Sequence, residues 1–147
     1  MKQLGFSEDF VYRRSNSDVG LAIADSLDNI LPTTRHIVSI LEATSRYKHM
    51  KDKDGIKLLV LNGNEDGLCN TPGQKWVYEN LSWRGAAGYR AASWKSLAAA
   101  GMKNGKGEWK ASEDGKLVFA AIDGAGHMVP LDQPDVAAQI IQKWIST

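Results

Sequence analysis

The hydrophobic residues of this chain form two short uninterrupted runs, each followed by a loop rich in glycine. The runs are Ile56–Leu61 and Leu117–Ile122. Their length and their bounding turn residues are typical of strands buried on both faces of a parallel sheet, rather than of helices. We therefore predict two buried strands, the first ending in the polar loop Asn62–Gly67 and the second in the loop Gly124–Pro130.

Other segments have the 3.6-residue period of amphipathic helices. One covers residues 32–44, one begins after Pro72, and the last begins at Asp135, which is expected to cap it. A shorter helix over Val19–Leu27 is expected to be capped by Asp18. Trp76, Val77 and Leu81 are expected on one face of the second helix. The buried stripe of the last helix is expected to consist of Val136, Ile140, Ile141 and Trp144.

The order of these elements indicates an α/β fold. Between the two strands, Glu108–Ala111 alternates like a strand and Glu113–Gly115 is a hairpin turn signal. The resulting order is strand, acidic loop, helix, hairpin, strand, histidine loop and helix. This order is typical of the closing half of an α/β sheet whose loops gather at one end. Residues 1–30 show no clear repeat and are expected to form a cap or cover segment.

Composition narrows the classes of partner. The chain has 147 residues, 43% of them hydrophobic, and a net charge of +1, which suits one compact domain. This charge balance gives no reason to expect nucleic acid or an anionic membrane as a partner. Met1–Glu8 lacks the apolar core of a signal peptide. A glycosylation sequon begins at Asn80 and would be used only in a secretory compartment.

The glycine-rich loop after the second strand carries His127, whose side chain type titrates near neutral pH. In α/β-hydrolases the chain order of the triad is nucleophile, acid, histidine. Asp66 lies upstream of His127, in the loop after the other buried strand, and is a better acid than Asn64 or Glu65. The alternative is that Asp66 is a turn residue and His127 a loop histidine bonded to backbone.

No residue in the sequence completes this triad as its nucleophile. A Gly-x-Ser-x-Gly elbow is absent, and the nearest phrase, Gly5–Asp9, lacks the second glycine. Cys69 follows the acid and has no adjacent positive charge, so we expect it to pack or line a pocket. His36 lies in a helical pattern and His49 in a charged run. Because the three histidines and the one cysteine are scattered widely along the chain, we predict no metal site.

Two motifs together resemble the serine carboxypeptidases. The sequence NGNEDGLCN at Asn62–Asn70 resembles the acid segment of that family, and GAGHMVP at Gly124–Pro130, followed by DQP, resembles its histidine segment. Trp83–Gly85 and the final helix through Trp144 resemble the family as well, so that the similarity covers most of residues 29–147. Members of this family are α/β-hydrolases that remove C-terminal residues from peptides, typically at acidic pH.

The resemblance implies roles for four residues. Asp66 corresponds to the triad acid and His127 to the base, while Cys69 and Met128 correspond to residues lining the pocket for the departing C-terminal side chain. Soft, polarizable side chains suit a pocket for apolar groups. The resemblance also places the nucleophilic serine, the oxyanion-hole amides and the groups that bind the substrate carboxylate upstream of residue 1. The chain is therefore interpreted as the C-terminal portion of the enzyme, inert as a peptidase by itself.

Three hypotheses follow for function. The first is the C-terminal part of a serine carboxypeptidase, whose partners are a peptide C-terminus and the upstream part of the same enzyme. The second is a carboxypeptidase-like acyltransferase that uses the same acid and base. The third is a catalytically inert truncated module. The family resemblance implies a vacuolar, lysosomal or secreted location and no cofactor.

Overall fold

The computed structural model describes residue 11 and residues 15–27, 31–43 and 56–146, which fall into two units divided after Thr33. In the first unit, helix α1 spans Ser17–Asp25. Its cap is Asn16 and not Asp18, because the Asn16 Oδ1 accepts the Asp18 N–H at 3.0 Å. Asp18 itself lies inside the first turn. The assignment of residues 1–30 as a cover segment stays a prediction.

The second unit is built on a mixed four-stranded sheet, which confirms the α/β class. Its strands are β1 (Leu58–Gly63), β2 (Lys95–Ser96), β3 (Gly107–Ala111) and β4 (Leu117–Ile122). In space their order is β1, β4, β3, β2. The two strands predicted from the hydrophobic runs, β1 and β4, are parallel neighbours. The predicted hairpin is also present, because β3 and β4 pair antiparallel around the turn that contains Glu113–Gly115.

Helices lie before, between and after these strands. They are α2 (Thr34–Glu42), α3 (Thr71–Glu79), α4 (Ala86–Ala91), α5 (Val129–Asp132) and α6 (Pro134–Ser146). The three amphipathic helices predicted in this unit correspond to α2, α3 and α6. No helix among the described residues is both long enough and apolar enough to cross a bilayer.

Several details of these helices differ from the sequence prediction. Leu81 is buried but lies beyond the cap of α3 at Asn80, and Trp76 on that helix is 69% exposed. Helix α6 begins at Pro134, whose fixed φ suits a first turn. Asp135 therefore lies within the first turn, where a negative charge favours the helix dipole, and does not cap it. Ile141, expected on the buried stripe, is 38% exposed.

Strand β4 is the centre of the core, and all six of its residues are buried. Because side chains alternate along a strand, Phe119 faces one hydrophobic cluster and Ile122 faces the other. Leu41 of α2 packs in the first cluster and Ile140 of α6 in the second, so helices cover both faces of this strand. The residues of β1 from Leu58 to Leu61 are only half-buried, because within the described residues β1 has a neighbouring strand on one side only.

Lys110 is a buried charged residue on β3, with 3% of its side chain exposed. Its ammonium donates to the Glu79 carboxylate at 2.6 Å and lies 4.8 Å from the centre of the Tyr89 ring. A buried ammonium needs such partners, since leaving water without them is costly. The pair therefore links β3 to the end of α3.

We predict that Lys110→Ala lowers the free energy of unfolding by about 3 kcal/mol, because it leaves the Glu79 carboxylate without its partner. This is the lower end of the range for buried pairs, since the Glu79 side chain is 27% exposed. Urea unfolding followed by tryptophan fluorescence measures the change. Lys95→Ala, at an exposed lysine on β2, is the matched control and should change stability little. Equal effects of the two substitutions would contradict the prediction.

Candidate active site

The parallel pairing of β1 and β4 brings two loops together at one edge of the sheet. Gly63 and Ile122 are register partners at the carboxyl ends of the two strands. Just beyond them, the Asn64 N–H donates to the Ile122 carbonyl and the Glu65 N–H donates to the Ala125 carbonyl, each at 2.9 Å. The loop after β1 and the loop after β4 therefore continue the pairing of the strands from which they come.

Gly63 is the point of closest approach between these loops. A Cβ atom at this position would lie 2.2 Å from the Ala125 carbonyl oxygen and 2.3 Å from that of Gly126. These are backbone atoms, so no side-chain rotation relieves such a contact. Only a glycine allows the two loops to lie this close.

The carbonyl of Gly63 is held by buried polar side chains that the sequence analysis did not identify. The Asn62 amide and the Thr71 hydroxyl each donate to it at 3.1 Å, and the same amide also donates to the Thr71 hydroxyl at 2.9 Å. Asn62 and Thr71 are 6% exposed, although both residue types are usually found at the surface. Their contacts fix the start of the acidic loop to the start of α3.

Asp66 is buried and uses both carboxylate oxygens as acceptors. Its Oδ1 accepts the Leu68 N–H at 2.8 Å and the Cys69 N–H at 2.9 Å. Its Oδ2 lies 2.8 Å from the Nδ1 of His127. The turn after Asp66 thus curls around one oxygen and directs the other toward the histidine loop.

His127 approaches Asp66 from a loop whose backbone turns at Gly124. The φ angle of Gly124 is +69°, a left-handed conformation that glycine adopts without strain. A Cβ there would also lie 2.8 Å from the side-chain nitrogen of Gln133. The imidazole is 59% exposed, while the Asp66 side chain is 6% exposed. The pair therefore presents an accessible histidine supported by a buried carboxylate.

The hydrogen bonds to Asp66 favour its charged form. The Cys69 N–H and then the His127 ring lower the pKa of the Asp66 carboxyl below its ordinary value of 3.8, against the opposing effect of burial. A carboxylate at Nδ1 selects the tautomer in which that nitrogen carries the proton. The Nε2 atom then has a free lone pair, which is the arrangement of a general base.

Cys69 and Met128 flank the acid and the histidine. Oxygen, sulfur and nitrogen atoms of Asp66, Cys69 and His127 lie within 4.8 Å of one another, so the half-buried thiol is adjacent to the pair. Met128 follows His127 and is 58% exposed. A metal ion would compete with three hydrogen bonds for the Asp66 carboxylate. The absence of a metal stays a prediction.

The other candidate residues in the described part of the chain are exposed. His36 is exposed on α2, where it accepts a hydrogen bond from Arg35, and His49 lies outside the described residues. Glu65 is exposed, and the Asn64 side chain donates to the Asp123 carboxylate. The sequon residue Asn80 is exposed at the end of α3, and its side-chain amide donates to the Trp76 carbonyl.

The residues that form this site fall within a match to a known protein family. The sequence profile of the family described as serine carboxypeptidase matches residues 28–147. Carboxypeptidase Y homolog A of Sclerotinia sclerotiorum is 32% identical over 145 residues, which is 99% of this chain and 24% of that protein. Serine carboxypeptidase-like 48 of Arabidopsis thaliana is 40% identical over 99 residues, 63% of this chain and 18% of that protein.

A third relative is the pheromone-processing carboxypeptidase KEX1 of Phytophthora infestans, 35% identical over 94 residues. That match covers 64% of this chain and 15% of the relative. The chain thus spans less than a quarter of the length of each of these three proteins.

We predict that Gly63→Ala separates the two loops, because the added Cβ would overlap two backbone carbonyl oxygens. The expected loss is more than about 2 kcal/mol of unfolding free energy, in the range of overpacking changes with backbone shifts. Urea unfolding measures it. Gly67→Ala is the control in the same loop, since a Cβ there has no atom within 4 Å. Similar losses for the two variants would contradict the role given to Gly63.

The lowered pKa of Asp66 predicts a pH dependence of stability. A carboxylate with a depressed folded-state pKa stabilises the fold above its unfolded pKa, and this contribution disappears as the pH falls through the folded value. Wild type should therefore exceed Asp66→Asn in unfolding free energy by a constant amount above about pH 5, and by less below pH 4. Urea unfolding at a series of pH values tests this. A difference that persists unchanged to pH 3 would refute it.

Proposed function

Because this chain belongs to the serine carboxypeptidase family, we propose that it supplies the acid and the base of a serine-type carboxypeptidase. The observation that carries the proposal is the 2.8 Å contact between Asp66 Oδ2 and His127 Nδ1. This contact joins two loops at the carboxyl ends of parallel strands, where ligands of open α/β sheets bind. The nucleophilic serine and the oxyanion-hole donors are proposed to lie in polypeptide that this sequence does not contain.

In the proposed reaction, the serine hydroxyl attacks the last peptide carbonyl while His127 Nε2 accepts its proton. The resulting imidazolium, stabilised by Asp66, gives that proton to the nitrogen of the departing C-terminal residue as the peptide bond breaks. Water then attacks the acyl-enzyme ester while His127 Nε2 accepts its proton, and His127 returns that proton to the serine oxygen as the ester bond breaks and the shortened peptide leaves. The exposed face of the imidazole gives the serine and the substrate access to His127.

Cys69 and Met128 are proposed to line the pocket for the departing side chain. Their positions support this, since Cys69 is adjacent to the Asp66–His127 pair and the exposed Met128 directly follows His127. A thiol and a thioether are polarizable and contribute weak hydrogen-bonding groups. We therefore propose a preference for apolar C-terminal residues.

Among the described strands, β1 lies at one edge of the sheet, and this edge is the proposed contact with the part of the enzyme that carries the serine. The two edge strands of the sheet differ. Strand β2 has only two residues, is exposed and contains Lys95. Short edge strands that carry a lysine are one way in which proteins prevent an edge from pairing with another strand. Strand β1, in contrast, presents a run of large aliphatic residues, and its flanking clusters are covered incompletely. A further parallel strand beside β1 would complete both clusters and bring its own carboxyl end to the same edge as Asp66 and His127.

The location is proposed to be vacuolar, lysosomal or secreted, on the basis of family membership. The exposed Asn80 is a proposed glycosylation site. A glycan on its side-chain nitrogen would leave one N–H, which is sufficient for the hydrogen bond to the Trp76 carbonyl.

Labelling of the native enzyme with a fluorophosphonate probe, followed by denaturing separation and intact mass, tests the proposal. Label is expected on a serine in the proposed upstream part of the enzyme, whether that part belongs to a longer chain or to a separate one. Hydrolysis should release one C-terminal amino acid at a time. Transfer of the acyl group to an alcohol in place of water would identify an acyltransferase instead. Absence of label would support an inert module.

In the same enzyme, Asp66→Asn should lower kcat by roughly 10⁴-fold, because the imidazole loses the partner that fixes its tautomer. His127→Ala should cost at least as much. His36→Ala is the matched control, an exposed histidine away from the pair, and should leave turnover unchanged. Equal activity of the His127→Ala and His36→Ala enzymes would refute the assignment.

A further inference from the structure

One peptide group in the histidine loop is held at both of its ends. The carbonyl of Ala125 accepts the Glu65 N–H at 2.9 Å, and the N–H of Gly126 donates to the Oδ2 of Asp132 at 2.8 Å. These two groups belong to the same peptide plane, which joins Ala125 to Gly126 and is one peptide unit before His127. The acidic loop therefore holds one end of the plane, and the end of α5 holds the other.

Asp132 lies on a short element that is anchored in the core. Helix α5 begins with Val129, which is 3% exposed and packs in the same cluster as Ile140 of α6. The Asp132 N–H donates to the Met128 carbonyl at 3.1 Å, which closes the turn. The next residue, Gln133, donates from its side chain to the Gly124 carbonyl at 3.1 Å. The junction of α5 and α6 thus contacts the histidine loop twice.

The histidine loop needs external contacts because of its glycines. Gly124 and Gly126 stand two positions apart, and glycine has a wider range of backbone conformations than any other residue. The direction of the His127 imidazole therefore depends on what holds the backbone on either side of Gly126. A shift of about 1 Å in a reacting group is enough to slow catalysis 100-fold.

We propose that Asp132 is a positioning residue for His127. By accepting the Gly126 N–H, its carboxylate fixes the Ala125–Gly126 peptide plane and restricts the backbone path that leads through Gly126 to His127, so that Nδ1 meets Asp66. This inference rests on the proposed function of the Asp66–His127 pair. The contact with Gly126 is a hydrogen bond from a backbone N–H. The proposed role therefore requires an acceptor oxygen at position 132 and not a negative charge.

The Nδ1–H proton of His127 provides the test. In the whole 147-residue chain, labelled with ¹⁵N at histidine, this proton is expected as a low-field NMR signal that exchanges slowly with water while it is bonded to Asp66. Asp132→Ala should accelerate its exchange by roughly tenfold or more, the effect of losing one hydrogen bond to a charged group. Asp132→Asn retains an acceptor oxygen and should restore exchange to near the wild-type rate.

Asp135→Ala is the matched control, since it removes a carboxylate three residues further along without a role in the loop. It should leave the Nδ1–H signal unchanged. A signal that persists equally in wild type and Asp132→Ala would overturn the inference alone. Absence of the signal in wild type would overturn the proposed pair and the inference with it.

If circular dichroism shows that Asp132→Ala is unfolded, Asp132→Glu decides the question. This variant keeps the charge and moves the carboxylate by one methylene group, so the Gly126 contact is displaced. Faster exchange is expected there as well. A wild-type exchange rate in folded Asp132→Glu would overturn the proposal.

Discussion

The close contact between Gly63 and the backbone of Ala125 and Gly126 is the constraint on which the site depends. Two parallel strands bring their ends to within about 5 Å of each other, which is the spacing of strands in a sheet. The loops that follow keep this spacing only because position 63 has no side chain. The hydrogen bonds from Asn64 and Glu65 to the second loop extend the pairing by two residues. Asp66 therefore starts from a backbone that is already aligned with His127.

The burial of Asp66 is offset by local hydrogen bonds. A carboxylate removed from water needs donors, and the backbone of Leu68 and Cys69 supplies two of them to one oxygen. The second oxygen faces the imidazole. Because both oxygens have partners, the charge is stabilised and the orientation of the carboxylate is fixed. A histidine beside such a group is held in one tautomer and kept accessible, which is the requirement for proton transfer.

The support for this pair comes from both faces of the sheet. The Asn62–Thr71 contact ties the acidic loop to α3, while Asp132 and Gln133 tie the histidine loop to α5 and α6. Strand β4 lies between the two hydrophobic clusters and is buried throughout. Asp66 and His127 are thus placed by a rigid core, although both stand on loops. The less complete burial of β1 is consistent with a sheet that continues beyond this strand.

The sequence alone predicted the two strands, the loops that follow them, and Asp66 and His127 as a candidate acid and base. The strands were predictable because the length of the apolar runs and their bounding turn residues favour strands over helices, while the acid and histidine were singled out by triad order and by the family resemblance. The helix caps were less predictable, since Asn16 and Asp18 are both good capping residues and only the backbone decides between them. Only the tertiary structure showed the contacts of Lys110, Thr71 and Asp132. Each depends on residues far along the chain or on the path of a turn, and no periodic pattern records which polar group meets which backbone atom.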